Sequence, residues 1–123
     1  MKFLDYQLLL YVSEDLYDRC VAFYRDVLGL DAFYGWDEGT EDRGVKFHAG
    51  GAQIVVLTQE NPFPDGGPVH FQMEVSDLEE AYASVKEHPL MKITAEPFVR
   101  PYGWKMFRCA DPAGNHINIY QLP

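Results

Sequence analysis

The sequence predicts an α+β fold in which two βαβββ modules form curved mixed sheets around a ligand cup. Three observations predict it. A strand, a helix, a strand and a hairpin follow one another twice along the 123 residues. The two passes align: Tyr11-Val-Ser-Glu-Asp-Leu16 matches Glu74-Val-Ser-Asp-Leu78, and Ile54-Val-Val-Leu57 matches His116-Ile-Asn-Ile119, offsets of 63 (74 − 11) and 62 (116 − 54). Between them, residues 59–68 hold three prolines and two glycines, which breaks regular structure. A period of this size that occurs twice gives a pseudo-symmetric pair, whereas a solenoid needs more copies. The length suits a single domain, 1–123, with module one at about 1–60, a linker at about 59–68 and module two at about 69–123.

Each element has a local cause. Residues 6–12 alternate Leu8, Leu10 and Val12 against Gln7, Leu9 and Tyr11, a strand pattern. Ser13 or Asp15 can cap a helix whose stripe is Leu16, Cys20, Phe23, Tyr24, Val27 and Leu28, and Gly29 can end it in a left-handed turn. A strand over 31–36 and the polar loop 37–42 follow. Strands over 45–48 and 53–58 form a hairpin closed by Ala49-Gly-Gly-Ala52. After the linker, residues 69–75 place Phe71, Met73 and Val75 opposite His70, Gln72 and Glu74. Ser76 with Glu79 has capping-box spacing, and Leu78, Ala81, Tyr82 and Val85 make a helical stripe that stops near Pro89. Strands over 93–99, 104–110 and 116–120 complete the repeat, the last entered through Asp111-Pro-Ala-Gly114. With one helix for about four strands, each sheet keeps one face that no helix covers.

Bulk chemistry narrows the function classes. Hydrophobic residues reach 47% and aromatics 15%, enough for a packed core. A net charge of −9 repels phosphate backbones and anionic headgroups, so neither nucleic acid nor a membrane is an expected partner. The longest apolar run, 8–12, is far too short to span a bilayer, and Met1 leads straight into a strand with no secretory pattern. Cys20 and Cys109 sit among apolar neighbours without C-x-x-C spacing, the pattern of buried, reduced thiols in a cytoplasmic protein.

Leu10-Tyr-Val-Ser13, Phe23-Tyr-Arg-Asp-Val-Leu-Gly-Leu30 and Asp111-Pro-Ala-Gly-Asn115 with its terminal strand carry a resemblance that covers nearly the whole chain. They resemble the vicinal oxygen chelate superfamily, which includes glyoxalase I, extradiol dioxygenases, fosfomycin resistance enzymes and bleomycin resistance proteins. The resemblance implies a cup between two modules and, commonly, a homodimer. In metal-dependent members it implies a divalent ion held from the first and fourth strands of each module, typically by His or Gln, Glu, His and Glu. Those positions fall here on Gln7, Val56, His70 and Asn118. Valine has no donor atom, and two neutral amides with one imidazole make a poor site for a transition metal. No cofactor is therefore expected, although His70, His116 and Glu74 could form a rearranged divalent-metal triad.

Strand alternation puts Leu8, Leu10, Val12, Val55, Leu57, Phe71, Met73, Val75, Ile117 and Ile119 under the helices. The cup face then carries Gln7, Leu9, Tyr11, Lys46, His48, Ile54, Val56, His70, Gln72, Glu74, Trp104, Met106, Arg108, His116, Asn118 and Tyr120. Aromatic surface with a few polar groups suits a small molecule. From these, Gln7, Tyr11, Lys46, His70, Gln72, Glu74, Trp104, Met106, Arg108, His116 and Asn118 are the candidate ligand contacts. Lys46 and Arg108 either snorkel to water or hold an anionic group, and His70 and Glu74 are the candidates for proton transfer. The resemblance implies a metal-free protein that binds a drug-like or aromatic ligand and could sequester it, as bleomycin resistance proteins do. The alternative is a glyoxalase-like lyase or isomerase with the rearranged metal site; a third reading is an interaction module whose cup is filled.

Overall fold

A computed structural model describes residues 1–123. The chain divides into two compact units, Met1–Gly66 and Gly67–Pro123, and the boundary falls inside the expected linker.

In the first unit β1 (Gln7–Tyr11), β2 (Asp31–Asp37), β3 (Arg43–Ala49) and β4 (Ala52–Leu57) form a sheet in the order β1-β4-β3-β2. β1 pairs parallel with β4 and the other neighbours are antiparallel. Helix α1 (Glu14–Ala22) covers one face and runs on into a π-helical turn over Phe23–Val27, where the Leu28 N–H donates to the Phe23 carbonyl at 3.0 Å. This wide turn shifts the helical stripe. Tyr17 and Val21 are buried with Cys20, Phe23, Tyr24 and Val27, while Leu16 and Leu28, expected in the stripe, stay half-buried. The extra residue lets the adjacent Phe23 and Tyr24 both enter the core, where they meet edge to face at 5.1 Å. Gly29 closes the helix at φ +70°, as its place in the sequence requires.

The start of α1 is braced from the loop before β3. The Glu14 carboxylate accepts from the Glu41 N–H and from Arg43 Nη2, the latter at 2.7 Å. The Glu41 amide, and secondarily Arg43, holds the Glu14 carboxyl below its usual range. Arg43 also stacks over the Tyr17 ring at 4.3 Å.

In the second unit β5 (His70–Glu74), β6 (Lys92–Val99), β7 (Lys105–Ala110) and β8 (His116–Gln121) repeat the order as β5-β8-β7-β6. Helix α2 (Leu78–Val85) buries Leu78 and Val85 and sets Tyr82 edge-on to Phe107 at 5.2 Å. Its cap is Asp77, whose side chain accepts from the Glu80 N–H, so the expected Ser76–Glu79 box is displaced by one residue. Pro97 is confined to the edge strand β6, where the register slips between Ala95 and Phe98. The turn into β8 is held by buried Asp111, which accepts from the Ala113 and Asn115 N–H groups, both at 2.9 Å, and from Asn115 Nδ2. Asn115 Oδ1 accepts from the Val69 N–H at 3.0 Å and so ties the start of β5 to that turn.

The repeat is stricter than the sequence alignment suggested. Gln7 pairs with Gln53 and His70 with His116, so both strands recur at 63 residues (70 − 7 and 116 − 53). Ile54 therefore corresponds to Ile117, not to His116.

Candidate functional site

Each sheet leaves one face free of its helix, and the registers fix what that face carries. In the first unit Gln7, Leu9 and Tyr11 lie beside Gln53, Val55 and Leu57. β3 adds His48, Lys46 and Gly44 through its pairs with β4, and β2 adds Tyr34 and Trp36. The expected assignment of β4 is thus inverted. Val55 and Leu57 belong to the open face, whereas Ile54 and Val56 lie on the helix side with Leu8 and Leu10. The strand-four position on the open face of this unit is therefore Val55, which has no donor atom either.

These residues form an open hollow of about 480 Å³ lined by Gln7, Leu9, Tyr11, Tyr34, Trp36, Glu38, Asp42, Lys46, Val55, Leu57 and Gln59. Of the sequence candidates it collects Gln7, Tyr11 and Lys46. Trp36 lies across the backbone of Gly44, where a methyl group would overlap the indole, and its Nε1 donates to Asp42 Oδ1 at 3.2 Å. Gln59 donates to the same oxygen at 2.9 Å. Lys46 Nζ sits 5.4 Å over the Tyr34 ring. Gln7 is held in a polar triangle with Asp5 and Gln53. His48 stacks on Phe33 at 3.9 Å on an exposed corner.

The second unit presents a different face. His70, Gln72 and Glu74 lie beside His116, Asn118 and Tyr120, and β7 adds Met106 and Arg108. Asn118 is buried at the centre. Its Oδ1 accepts from Arg108 Nε at 3.1 Å and lies 3.2 Å from His70 Nε2, and its Nδ2 donates to Gln72 Oε1 at 3.3 Å. An amide oxygen only accepts, so His70 meets it with a protonated Nε2. Phe98 packs 5.1 Å from the Arg108 guanidinium and fixes its plane. One step along the sheet, Trp104 stacks flat on Tyr120 at 4.6 Å with Tyr102 against its edge, and Met106 forms the buried floor.

The rearranged metal triad does not assemble. His70 and His116 are cross-strand neighbours with ring centres 6.2 Å apart. Glu74 lies four residues along β5, about 13 Å at the strand rise, and is paired with Tyr120 instead. No group of three His, Cys, Asp or Glu side chains comes together in a way that could hold a metal ion. Cys109 faces the core of its unit with its thiol pushed up to about 12 by burial, and is chemically inert there. No helix is long and apolar enough to cross a membrane.

The same architecture recurs in solved structures. TioX from Micromonospora sp. ML1 superimposes with a TM-score of 0.80 at 18% identity, covering 98% of this chain and all (100%) of that one. TnmS3, an antibiotic binding protein from Streptomyces sp. CB03234, gives 0.77 at 19% identity over 99% and 98% of the two chains. Lactoylglutathione lyase from Agrobacterium tumefaciens gives 0.74 at 20% identity over 98% and 95%. At such identities the likeness establishes the fold alone, and both a binding protein and a lyase share it. No curated protein matches the sequence. A model of the family described as the Glyoxalase/Bleomycin resistance protein/Dioxygenase superfamily matches residues 8–119. The chain therefore belongs to the glyoxalase/bleomycin resistance protein/dioxygenase superfamily.

Proposed function

We propose that this protein binds a small, aromatic, drug-like molecule without a metal and sequesters it rather than converting it. One observation carries the reading. The Asn118 oxygen, at the position where metal-dependent relatives have a carboxylate, is spent on Arg108 at 3.1 Å. A permanent cation bound to that atom opposes a divalent ion instead of ligating it. The matching position of the first unit is Val55, and the hollow around it is aromatic through Tyr11, Tyr34 and Trp36. That composition favours stacking and burial of a planar ligand. The likeness to TnmS3 supports the same class of function. A glyoxalase-like lyase or isomerase would need both a metal to stabilise an enediolate and a carboxylate base beside it. Superfamily membership supports a homodimer, and two buried, reduced thiols at Cys20 and Cys109 support a reducing, cytoplasmic site of action.

Elemental analysis of protein purified without chelator tests the reading directly. The expected result is less than about one-tenth of an equivalent of any transition metal, with no hemithioacetal turnover when zinc or nickel is added. A tightly held equivalent, or turnover restored by metal, overturns it. Light scattering checks the dimer.

A further inference from the structure

We infer that the open face of the second unit recognises an anionic group, and that the ligand class is an aromatic carboxylate. This rests on the small-molecule reading above and names the chemistry of the ligand. The chain carries 19 acidic residues against 10 basic ones, and Arg25, Arg43 and Lys105 each pair with a carboxylate. Arg108 has none. Its Nε is bound to a neutral amide and one face is packed on Phe98, which leaves both terminal nitrogens unspent and aimed in a fixed plane. A guanidinium in that state matches the two oxygens of a carboxylate.

The surrounding groups strengthen the match. Asn118 takes the Gln72 oxygen as its acceptor, so the Gln72 amide N–H groups are turned outward as donors. His116, across from His70, is exposed on the same face and adds a ring N–H. Glu74, the carboxylate that alternation also places on this face, lies beyond Gln72 and opposite Tyr120, and makes no ion pair with Arg108. The Arg108–Asn118 and Met106–Tyr120 pairs are adjacent on one face, about 7 Å apart at the strand rise. A carboxylate on Arg108 therefore puts an attached ring system beside the Trp104–Tyr120 stack.

The probe pair is naphthalene-2-carboxylate and naphthalene-2-carboxamide, equal in shape and different in charge. They are titrated into the intact protein and followed by backbone amide NMR shifts. The carboxylate is expected to bind at least about tenfold more tightly than the amide, to shift β5, β7 and β8, and to weaken as salt rises. Arg108→Gln should remove that preference by weakening the carboxylate far more than the amide, and Arg108→Lys should restore part of it. Arg19→Gln, at an exposed position of α1 in the other unit, should leave the preference intact. Equal affinity for the two probes, a preference that survives Arg108→Gln, shifts confined to β1–β4, or no binding by either probe overturns the inference. The comparison of the two probes in the unaltered protein needs no variant to fold. Failure of the parent reading has its own mark, a stoichiometric metal, which these titrations do not report.

Discussion

The two units share a sheet order, a helix position and a repeat distance, yet their open faces have opposite chemistry. The first is a hollow of Tyr11, Tyr34 and Trp36 over buried valine and leucine, with Glu38 and Asp42 in its lining. The second is a hydrogen-bonded patch of His70, Gln72, Arg108 and Asn118 next to an aromatic stack. The contrast teaches that the helix side of each sheet, which must stay dry, preserves the repeat, while the open side is free to diverge. Val55 and Asn118 make the point at a single position: 63 residues apart (118 − 55) and matched in the pairing, one is a hydrocarbon and the other a polar hub.

The largest expected effect tests the shared half of that contrast. Phe47 and Phe107 are both fully buried on the third strands of their units. Replacing either with alanine should cost about 3–5 kcal/mol in urea unfolding, by a similar amount in both cases. A cost confined to one unit would break the equivalence of the cores. Next comes the hairpin that differs most between the units. Asp111→Ala leaves two N–H groups and a buried Asn115 short of partners and should cost about 2–3 kcal/mol. In the first unit the turn is Gly50-Gly51, with only Gly50 at positive φ, and Gly50→Ala should cost about 1 kcal/mol.

A smaller effect concerns the aromatic hollow. Gly44→Ala should push the Trp36 indole off the sheet and break its bond to Asp42, seen as a shifted tryptophan emission, at a cost of about 1–2 kcal/mol. The emission of Trp104 should not move. The smallest effect is a pH dependence peculiar to the first unit. Glu14 has a depressed pKa, so its contribution is fully present above its ordinary value of 4.5 and is lost as pH falls through the lower folded value. Glu14→Gln should flatten that part of the acid limb of stability measured by urea titration.

The sequence made the element order and the capping glycine Gly29 readable because each rests on local chemistry. The pairing phase of β4 was not readable. Ile54-Val-Val-Leu57 is apolar at every position, so period-two alternation cannot say which residues face the helix, and aligning the repeat by resemblance slipped it by one. The polar neighbour Gln53, opposite Gln7, was the available signal. Tyr34 and Trp36 escaped notice because the register of β2 shifts between Ala32 and Tyr34. The π-helical turn leaves no mark in composition, and Ser76 and Asp77 are both good caps, so only the folded backbone chooses between them. In the candidate site, alternation correctly gathered His70, Gln72, Arg108, His116 and Asn118 on one face. It could not reveal that Asn118 would be saturated by its neighbours, because hydrogen-bond partners depend on distance across strands.

The parallel pairing of first strand with last has a consequence for synthesis. In each unit the partners are separated by 46 residues (53 − 7 and 116 − 70). Closing such a span costs about 3 kcal/mol of chain entropy before any contact returns it. A nascent second unit cannot seat β5 until β8 has left the ribosome. It therefore waits with its first strand unpaired until β8 emerges, while the first unit can already be complete.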